Sequence, residues 1–317
     1  MSINIIRIAE RWYVEKSART GTLIDTTART TAELIADRAA IDLAVAGEEA
    51  DLPTGGLQAP VTAPCRVVAQ MTNFVSHIKD SGLDPETVPL TFFRKTSHSI
   101  SGPTDDIVKP SHVRFLDYEV EVGLVIGKDL PVGTTLTQED IADHVAALVV
   151  TNDVSARDLQ LPKTQFFEAK SYPTFTPVGP RLVVLEPGDW ERFEDLRLQL
   201  WVNGEVRQDA VVADDMLYKP LEALQGLARF QPLSTGDLVL TGTPGGTALK
   251  APPKPVEIIG ALLPPAVKWK AFFKAQARNT SYLADGDLVE IHVATPDGKL
   301  DLGRQRTTVR HERATAR

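Results

Sequence analysis

The run Tyr118-Glu119-Val120-Glu121-Val122-Gly123-Leu124-Val125-Ile126 constrains this chain more than any other. Val120, Val122, Leu124 and Ile126 fall at every second position, the pattern of a β-strand with one apolar face. Residues two apart on a strand project to the same side. Glu119 and Glu121 therefore share a face, beside a glycine that leaves room. Two carboxylates so close repel and raise each other's pKa unless a cation lies between them. A hard divalent cation such as Mg²⁺ resolves that conflict, because it takes anionic oxygen ligands; a solvated strand face resolves it too. A third carboxylate favours the cation. The apolar run Leu148-Val149-Val150 breaks at Thr151-Asn152-Asp153, which puts Asp153 at a strand end. Val154-Ser155-Ala156-Arg157-Asp158-Leu159-Gln160 follows, dense in side chains that recognise anions.

At 317 residues, 43% hydrophobic and 24% charged, the chain has the composition of a globular protein and the length for one large or two modest domains. A formal net charge of −8 argues against a general nucleic-acid binder. The single cysteine, Cys65, rules out an intramolecular disulfide framework and fits a reducing compartment. It lies between Pro64 and Arg66 with no histidine beside it, which reads as structural. Met1 to Trp12 lacks the apolar core of a signal peptide. No stretch approaches the roughly 20 apolar residues of a bilayer span. The expectation is a soluble, cytoplasmic protein without a membrane partner.

Thr31 to Val45 has helical spacing and good helix formers. Leu52-Pro53-Thr54-Gly55-Gly56, Pro60 and Pro64 then interrupt the pattern, predicting a small N-terminal domain over 1–60 and a larger one over 61–317. Strand signals dominate the larger part, at 119–126, 145–150, 181–185, 196–202, 237–240 and 287–295. Leu196, Leu198, Leu200 and Val202 alternate into Asn203-Gly204, a strong hairpin signal. Pro296-Asp297-Gly298 marks a second turn. Helices are few: Thr137-Gln138-Glu139-Asp140 resembles a capping box opening a short one, and 214–230 carries another. Strand and helix do not alternate regularly, so a doubly wound sheet is excluded in favour of a strand-rich α+β fold.

Three further features are candidates for function. Thr241-Gly242-Thr243-Pro244-Gly245-Gly246 follows a strand and offers N–H groups and hydroxyls to a carboxylate. It lacks the Gly-Lys-Ser/Thr ending of a phosphate loop, and a structural turn is the alternative reading. His77 and Asp80 are three residues apart, the spacing of one face of a helical turn. A carboxylate there orients an imidazole as a general base; an ordinary surface pair is the alternative. The connector 250–283 mixes lysines with Trp269, Phe272 and Phe273 between proline-rich flanks, which suits a lid or subunit contact better than a membrane-surface helix.

In this order, these blocks resemble the fumarylacetoacetate hydrolase family over roughly residues 65 to 300. Asp117 to Gly127 resembles its E-x-E strand, which implies Glu119 and Glu121 as metal ligands. Asn152 to Gln160 resembles the segment with the third ligand, here Asp153, and the substrate-binding Arg157 and Gln160. Lys170-Ser171 with Phe175 to Pro180 resembles the block of the active-site lysine, and Thr243 matches the threonine that contacts the substrate carboxylate. The resemblance implies a β-roll core with a small N-terminal domain, a homodimer, Mg²⁺ or Mn²⁺, and a small 2-oxo acid substrate. It implies hydrolysis of a C–C bond in an acylpyruvate or β-diketo acid, with His77, Asp80 and Lys170 catalytic. Decarboxylation or isomerisation of a related 2-oxo acid is the alternative, and dehydration of a sugar-derived 2-oxo acid a weaker one. Two departures stand out. In Gln70 to Asp80 the family's basic residue is Thr72 and its final glutamate is Asp80, and the 250–283 connector is longer than in many members.

Overall fold

The computed structural model describes residues 2–164 and 166–312; Met1 and residues 313–317, included in the expected domain limits, lie outside it. An eleven-stranded sheet forms its spine, with the strand Val120–Ile126 inside it. That strand pairs antiparallel with Val145–Asn152 on one side and Leu238–Leu240 on the other. Val67–Met71 continues the sheet in parallel beyond Leu238–Leu240, and Thr91–Lys95 follows. On the opposite side, Leu182–Val184 leads to the N-terminal strands Ile3–Ile8, Arg11–Glu15, Thr20–Leu23 and Ala50–Asp51. The N-terminal segment thus extends the same sheet that carries the E-x-E strand.

A second sheet of five strands runs Glu205–Val211, Arg197–Val202, Leu288–Ala294, Asp301–His311 and Ile107–Lys109. Alternation decides how the two sheets meet. Val120, Val122, Leu124 and Ile126 pack with Leu198, Leu200, Val202, Val289, Ile291 and Val293, so one core lies between the sheets. Val125, Val149 and Leu238 join the other core, against Leu34 and Ile41 of the N-terminal helices. The result is a strand-rich α+β fold of two packed sheets with helices over one outer face. Both turns form where expected. Asn203 and Gly204 have φ of 53° and 80°, the double positive φ of a two-residue hairpin.

Helices differ from the sequence pattern where side chains compete with the backbone. The helix expected over Thr31–Val45 is two, Thr31–Ala36 and Arg38–Ala46. Asp37 breaks it by taking a non-helical conformation and accepting the Thr26 hydroxyl at 2.6 Å. The stretch 214–230 is also two helices, Val212–Asp215 and Pro220–Ala228, because Pro220 suits a first turn. At Thr137 only half of the capping box forms, the Asp140 carboxylate accepting the Thr137 N–H at 2.6 Å and its hydroxyl at 2.8 Å, and the helix Ile141–His144 starts after it. The connector folds as helices Lys254–Ala261 and Pro265–Gln276, with Phe273 stacked on Phe115 at 5.7 Å. Among the described residues no helix is long and apolar enough to cross a membrane.

Gly123 is needed for packing rather than for room at a ligand. A Cβ there meets Val149 Cγ2 at 2.7 Å and Leu238 Cδ1 at 2.9 Å, in the middle of the central sheet. Overpacking of that kind costs about 1–3 kcal/mol. Gly123→Ala is expected to lose stability in that range by urea denaturation; an unchanged midpoint contradicts this packing.

Candidate active site

Two neighbouring strands deliver three carboxylates to one place. Glu121 lies on Val120–Ile126 opposite Thr151, and Asp153 follows the end of the partner strand. Glu119 stands one residue ahead of its strand and is fixed from both sides. Its N–H donates to Asn152 Oδ1 at 3.0 Å, and its carbonyl accepts the Asp153 N–H at 2.8 Å. Ligand oxygens of Glu119, Glu121 and Asp153 lie within 4.8 Å of one another. Their exposures are 5%, 1% and 0%, which removes the solvated-face alternative.

Such a cluster is stable only if cations hold it. Lys170 Nζ donates to Glu119 Oε2 and to Asp153 Oδ2, each at 2.6 Å. Arg157 Nη2 donates to Glu119 Oε1 at 2.5 Å, Nη1 to Gln160 Oε1 at 2.9 Å and Nε to Asp117 Oδ2 at 2.8 Å. Lys95 donates to Asp153 Oδ1 and to the Phe175 carbonyl. Among the described residues no cation pairs with Glu121; its Oε2 accepts the Gly242 N–H at 2.7 Å. The glycine loop thus serves a carboxylate, but one belonging to the protein.

These partners divide the carboxylates into two states. Burial acts to raise the Glu119 pKa, yet Lys170, Arg157 and His77 outweigh it and hold the group at about 2. Burial, with Asp153 and Glu119 nearby, pushes Glu121 well above the carboxylate range. Burial draws Lys170 down, but Asp153 and Glu119 leave it raised. In Lys95 burial wins over Asp153 and the pKa is lowered. His77 is lowered as well, by burial, against the pull of Glu119.

Among the expected site residues, Glu119, Asp153, Lys170, Arg157 and Gln160 form one hydrogen-bonded group, and Glu121 lies beside it on the Gly242 N–H. Thr243 joins indirectly: its hydroxyl accepts Gln208 Nε2 at 2.8 Å, while Gln208 Oε1 accepts the Val120 N–H at 3.0 Å. The His77–Asp80 dyad is a correction. Both lie on the short helix Val75–Asp80, but the Asp80 carboxylate turns away to the Gly246 N–H at 3.0 Å, with Lys250 at 3.8 Å. Among the described residues nothing hydrogen-bonds the buried His77 Nδ1. A glutamate reaches one methylene farther than Asp80, and the shorter side chain settles on the nearer loop.

Sequence reasoning missed Lys95 and Asp117. Lys95 alternates with Phe93 on Thr91–Lys95, and a lysine on the inward phase of a strand signals a buried charge seeking a partner. Asp117 carried no signal of its own, since apart from the neighbouring Tyr118 N–H its partners come from residues 157 and 248–249.

The donor set fits a hard divalent cation. Three anionic oxygen ligands converge, and the Lys170 ammonium already bridges two of them, so the place is cation-selective. Glu119, Glu121 and Asp153 are the residues that would hold a divalent cation here. Because the Glu121 pKa is raised, binding displaces a proton and affinity rises with pH. Calorimetry in buffers of different ionisation enthalpy should therefore read a released proton on Mg²⁺ binding, lost in Glu121→Gln. Heats independent of the buffer contradict this.

Comparisons with known proteins place this geometry among relatives. The model of the fumarylacetoacetate (FAA) hydrolase C-terminal region matches residues 66–310. A mitochondrial oxaloacetate tautomerase of Homo sapiens is 36% identical over 202 residues, covering 62% of this chain and 61% of that protein. The chain thus matches somewhat less than two thirds of that relative's length. A solved structure of a probable 2-hydroxyhepta-2,4-diene-1,7-dioate isomerase from Mycobacterium abscessus is 30% identical. It superposes with a TM-score of 0.75 over 99% of this chain and 100% of that one. A fumarylacetoacetate hydrolase from Exiguobacterium antarcticum is 27% identical, with a TM-score of 0.71 over 98% of this chain and 99% of its own.

Proposed function

This chain belongs to the fumarylacetoacetate hydrolase family, and we propose that within it the protein is a metal-dependent tautomerase or isomerase of a small 2-oxo acid of the oxaloacetate type. One observation carries this reading over C–C hydrolysis. Asp80 is bonded to the Gly246 loop instead of His77, so the pair that would activate an attacking water is not assembled. Tautomerisation needs no water. It needs a base for a carbon-bound proton, a donor for the enolate oxygen, and charge to stabilise the enolate.

The site offers each of these. His77, kept neutral by burial and with Nδ1 unpartnered, takes the proton from the carbon next to the 2-oxo group. Lys170, held protonated by its carboxylates, donates toward the oxygen on which the electron pair settles. His77 then delivers that same proton to the enolate oxygen, or in an isomerisation to another carbon of the conjugated chain, which restores the base while Lys170 gives only a hydrogen bond and keeps its proton. Arg157, with Gln160 and Thr243, fixes a substrate carboxylate, and its planar fork suits a bidentate contact. The chemistry a metal held by Glu119, Glu121 and Asp153 supplies when bound is Lewis acidity toward the 2-oxo group. Four carboxylates, including Asp117, face Lys95, Lys170 and Arg157; a dication tips this balance to positive, which favours an anionic substrate. The oxaloacetate tautomerase relative at 36% identity supports the same reading. The proposal includes a cytoplasmic homodimer with no nucleic-acid or membrane partner.

With Mg²⁺, the protein should speed the loss of enol absorbance of oxaloacetate without releasing acids from acylpyruvates. His77→Ala should lower kcat by about 10² to 10⁴, and Asp80→Ala by less than about threefold. Cleavage of an acylpyruvate into two acids, abolished in Asp80→Ala, overturns the reading in favour of hydrolysis. Release of CO₂ as the main product favours a decarboxylase.

A further inference from the structure

The long connector and Arg157 are attached to the same two-residue strand, Leu116–Asp117. Asp117 is fully buried, and its carboxylate accepts four donors. Oδ1 takes the N–H of Tyr118 at 2.9 Å and of Ala248 at 2.8 Å. Oδ2 takes the Leu249 N–H at 3.0 Å and Arg157 Nε at 2.8 Å. Ala248 and Leu249 are where the connector leaves the core. Its return is held in the same patch: Asn279 Nδ2 donates to the Ala248 carbonyl at 2.8 Å, and the Leu283 N–H to the Leu116 carbonyl at 2.9 Å. Phe115 completes the junction. Its ring lies against Phe273 at 5.7 Å and Tyr282 at 5.0 Å, and its carbonyl accepts the Arg157 N–H at 2.9 Å. Both the main chain and the guanidinium of Arg157 therefore hang on residues that the connector's helical hairpin clamps.

Arg157 is 3% exposed and its outer nitrogens are taken by Glu119 and Gln160, so a substrate carboxylate reaches it only by displacing those partners. The hairpin is the segment whose docking contacts converge on Arg157. Resting on the reading that Arg157 binds a substrate carboxylate, we propose that Asp117 is a positioning residue that couples docking of the 250–283 hairpin to Arg157. With the hairpin docked, Asp117 holds Nε and leaves the outer guanidinium nitrogens free to turn from Glu119 and Gln160 to the substrate. With the hairpin released, the backbone donors of Ala248 and Leu249 leave Asp117 and Phe115 loses its stack, so Arg157 loses its fixed orientation. Hairpin and arginine then act as one unit on substrate affinity, with no part in proton transfer.

A double-mutant cycle on the full-length protein tests this, because residues acting through one network are non-additive. Steady-state kinetics on oxaloacetate are paired with titration of oxalate, a planar mimic of a 2-oxo acid enolate, in the presence of Mg²⁺. Asp117→Asn should raise KM and the oxalate Kd about tenfold with kcat changed less than about threefold, the signature of lost binding that is uniform along the reaction. Phe273→Ala should raise both about threefold alone and add nothing in the Asp117→Asn background, while Asp117→Glu should recover part of the loss. Effects that multiply independently, or a loss in kcat with KM unchanged, overturn the proposal. If Asp117→Asn does not fold, Phe273→Ala decides: unchanged oxalate affinity refutes the coupling. No oxalate binding by the unaltered protein rejects the 2-oxo acid reading itself, whereas binding that neither variant weakens rejects only the role of Asp117.

Discussion

Three carboxylates buried within 4.8 Å of one another repel strongly, and the centre of this molecule is built to hold them there. Removing each ion from water costs roughly several kcal/mol, recovered only with well-placed partners. Lys170 bridges Glu119 and Asp153, Arg157 ties Glu119 to Asp117, and Lys95 holds the other side of Asp153. Each cation arrives from a different part of the chain. The long-range folding of the sheet, the helix Phe166–Lys170 and the short strand Leu116–Asp117 is thus tied to one electrostatic condition. Glu121 alone is left with a backbone donor, and it is the group that burial and its neighbours drive toward the protonated form. The three fixed cations pair with Asp117, Glu119 and Asp153 and leave Glu121 as the ligand that a divalent cation can claim.

That balance also bears on the reaction. A cluster already crowded with fixed cations suits the stabilisation of an enolate, where negative charge moves from carbon to oxygen without any bond to water. His77 belongs to the same electrostatic unit, since Glu119, Arg157, Lys170 and Asp117 all act on it. Asp80 belongs to a different one, with Gly246 and Lys250. On the proposed reading, the division between these neighbours on one helical turn is what would separate proton transfer from hydrolysis within a shared fold.

Much of this was legible in the residues because alternation is a local signal. The strand over Val120–Ile126 forms as its alternation indicates, with its apolar phase in the core between the sheets, and the Asn203-Gly204 turn sits at its hairpin. The carboxylates could be paired because a strand puts Glu119 and Glu121 two residues apart and ends the next strand at Asp153. What stayed hidden was set by contacts distant in sequence. The direction of Asp80 depends on Gly246, the burial of Lys95 on Asp153 and Phe175, and the importance of Asp117 on the connector root at Ala248 and Leu249. Breaks in the helices were missed for a local reason, since Asp37 gains more from the Thr26 hydroxyl and its cap than from continuing a helix. The short N-terminal strands show no clean alternation over enough residues to be legible, and pairing of Ile3–Ile8 with Leu182–Val184 is what defines their place.

The claim on which the rest depends is that the Lys170 and Arg157 contacts to Glu119 mark a metal centre rather than a permanent salt-bridge core. Diffraction from crystals soaked in Mn²⁺, recorded at a wavelength where manganese scatters anomalously, tests it directly. The expected result is a single strong anomalous peak in bonding contact with Glu119, Glu121 and Asp153, with the Lys170 ammonium moved off the oxygens it bridges. Full Mn²⁺ in the crystal, no peak among these carboxylates, and Lys170 and Arg157 still bonded to Glu119 would contradict it.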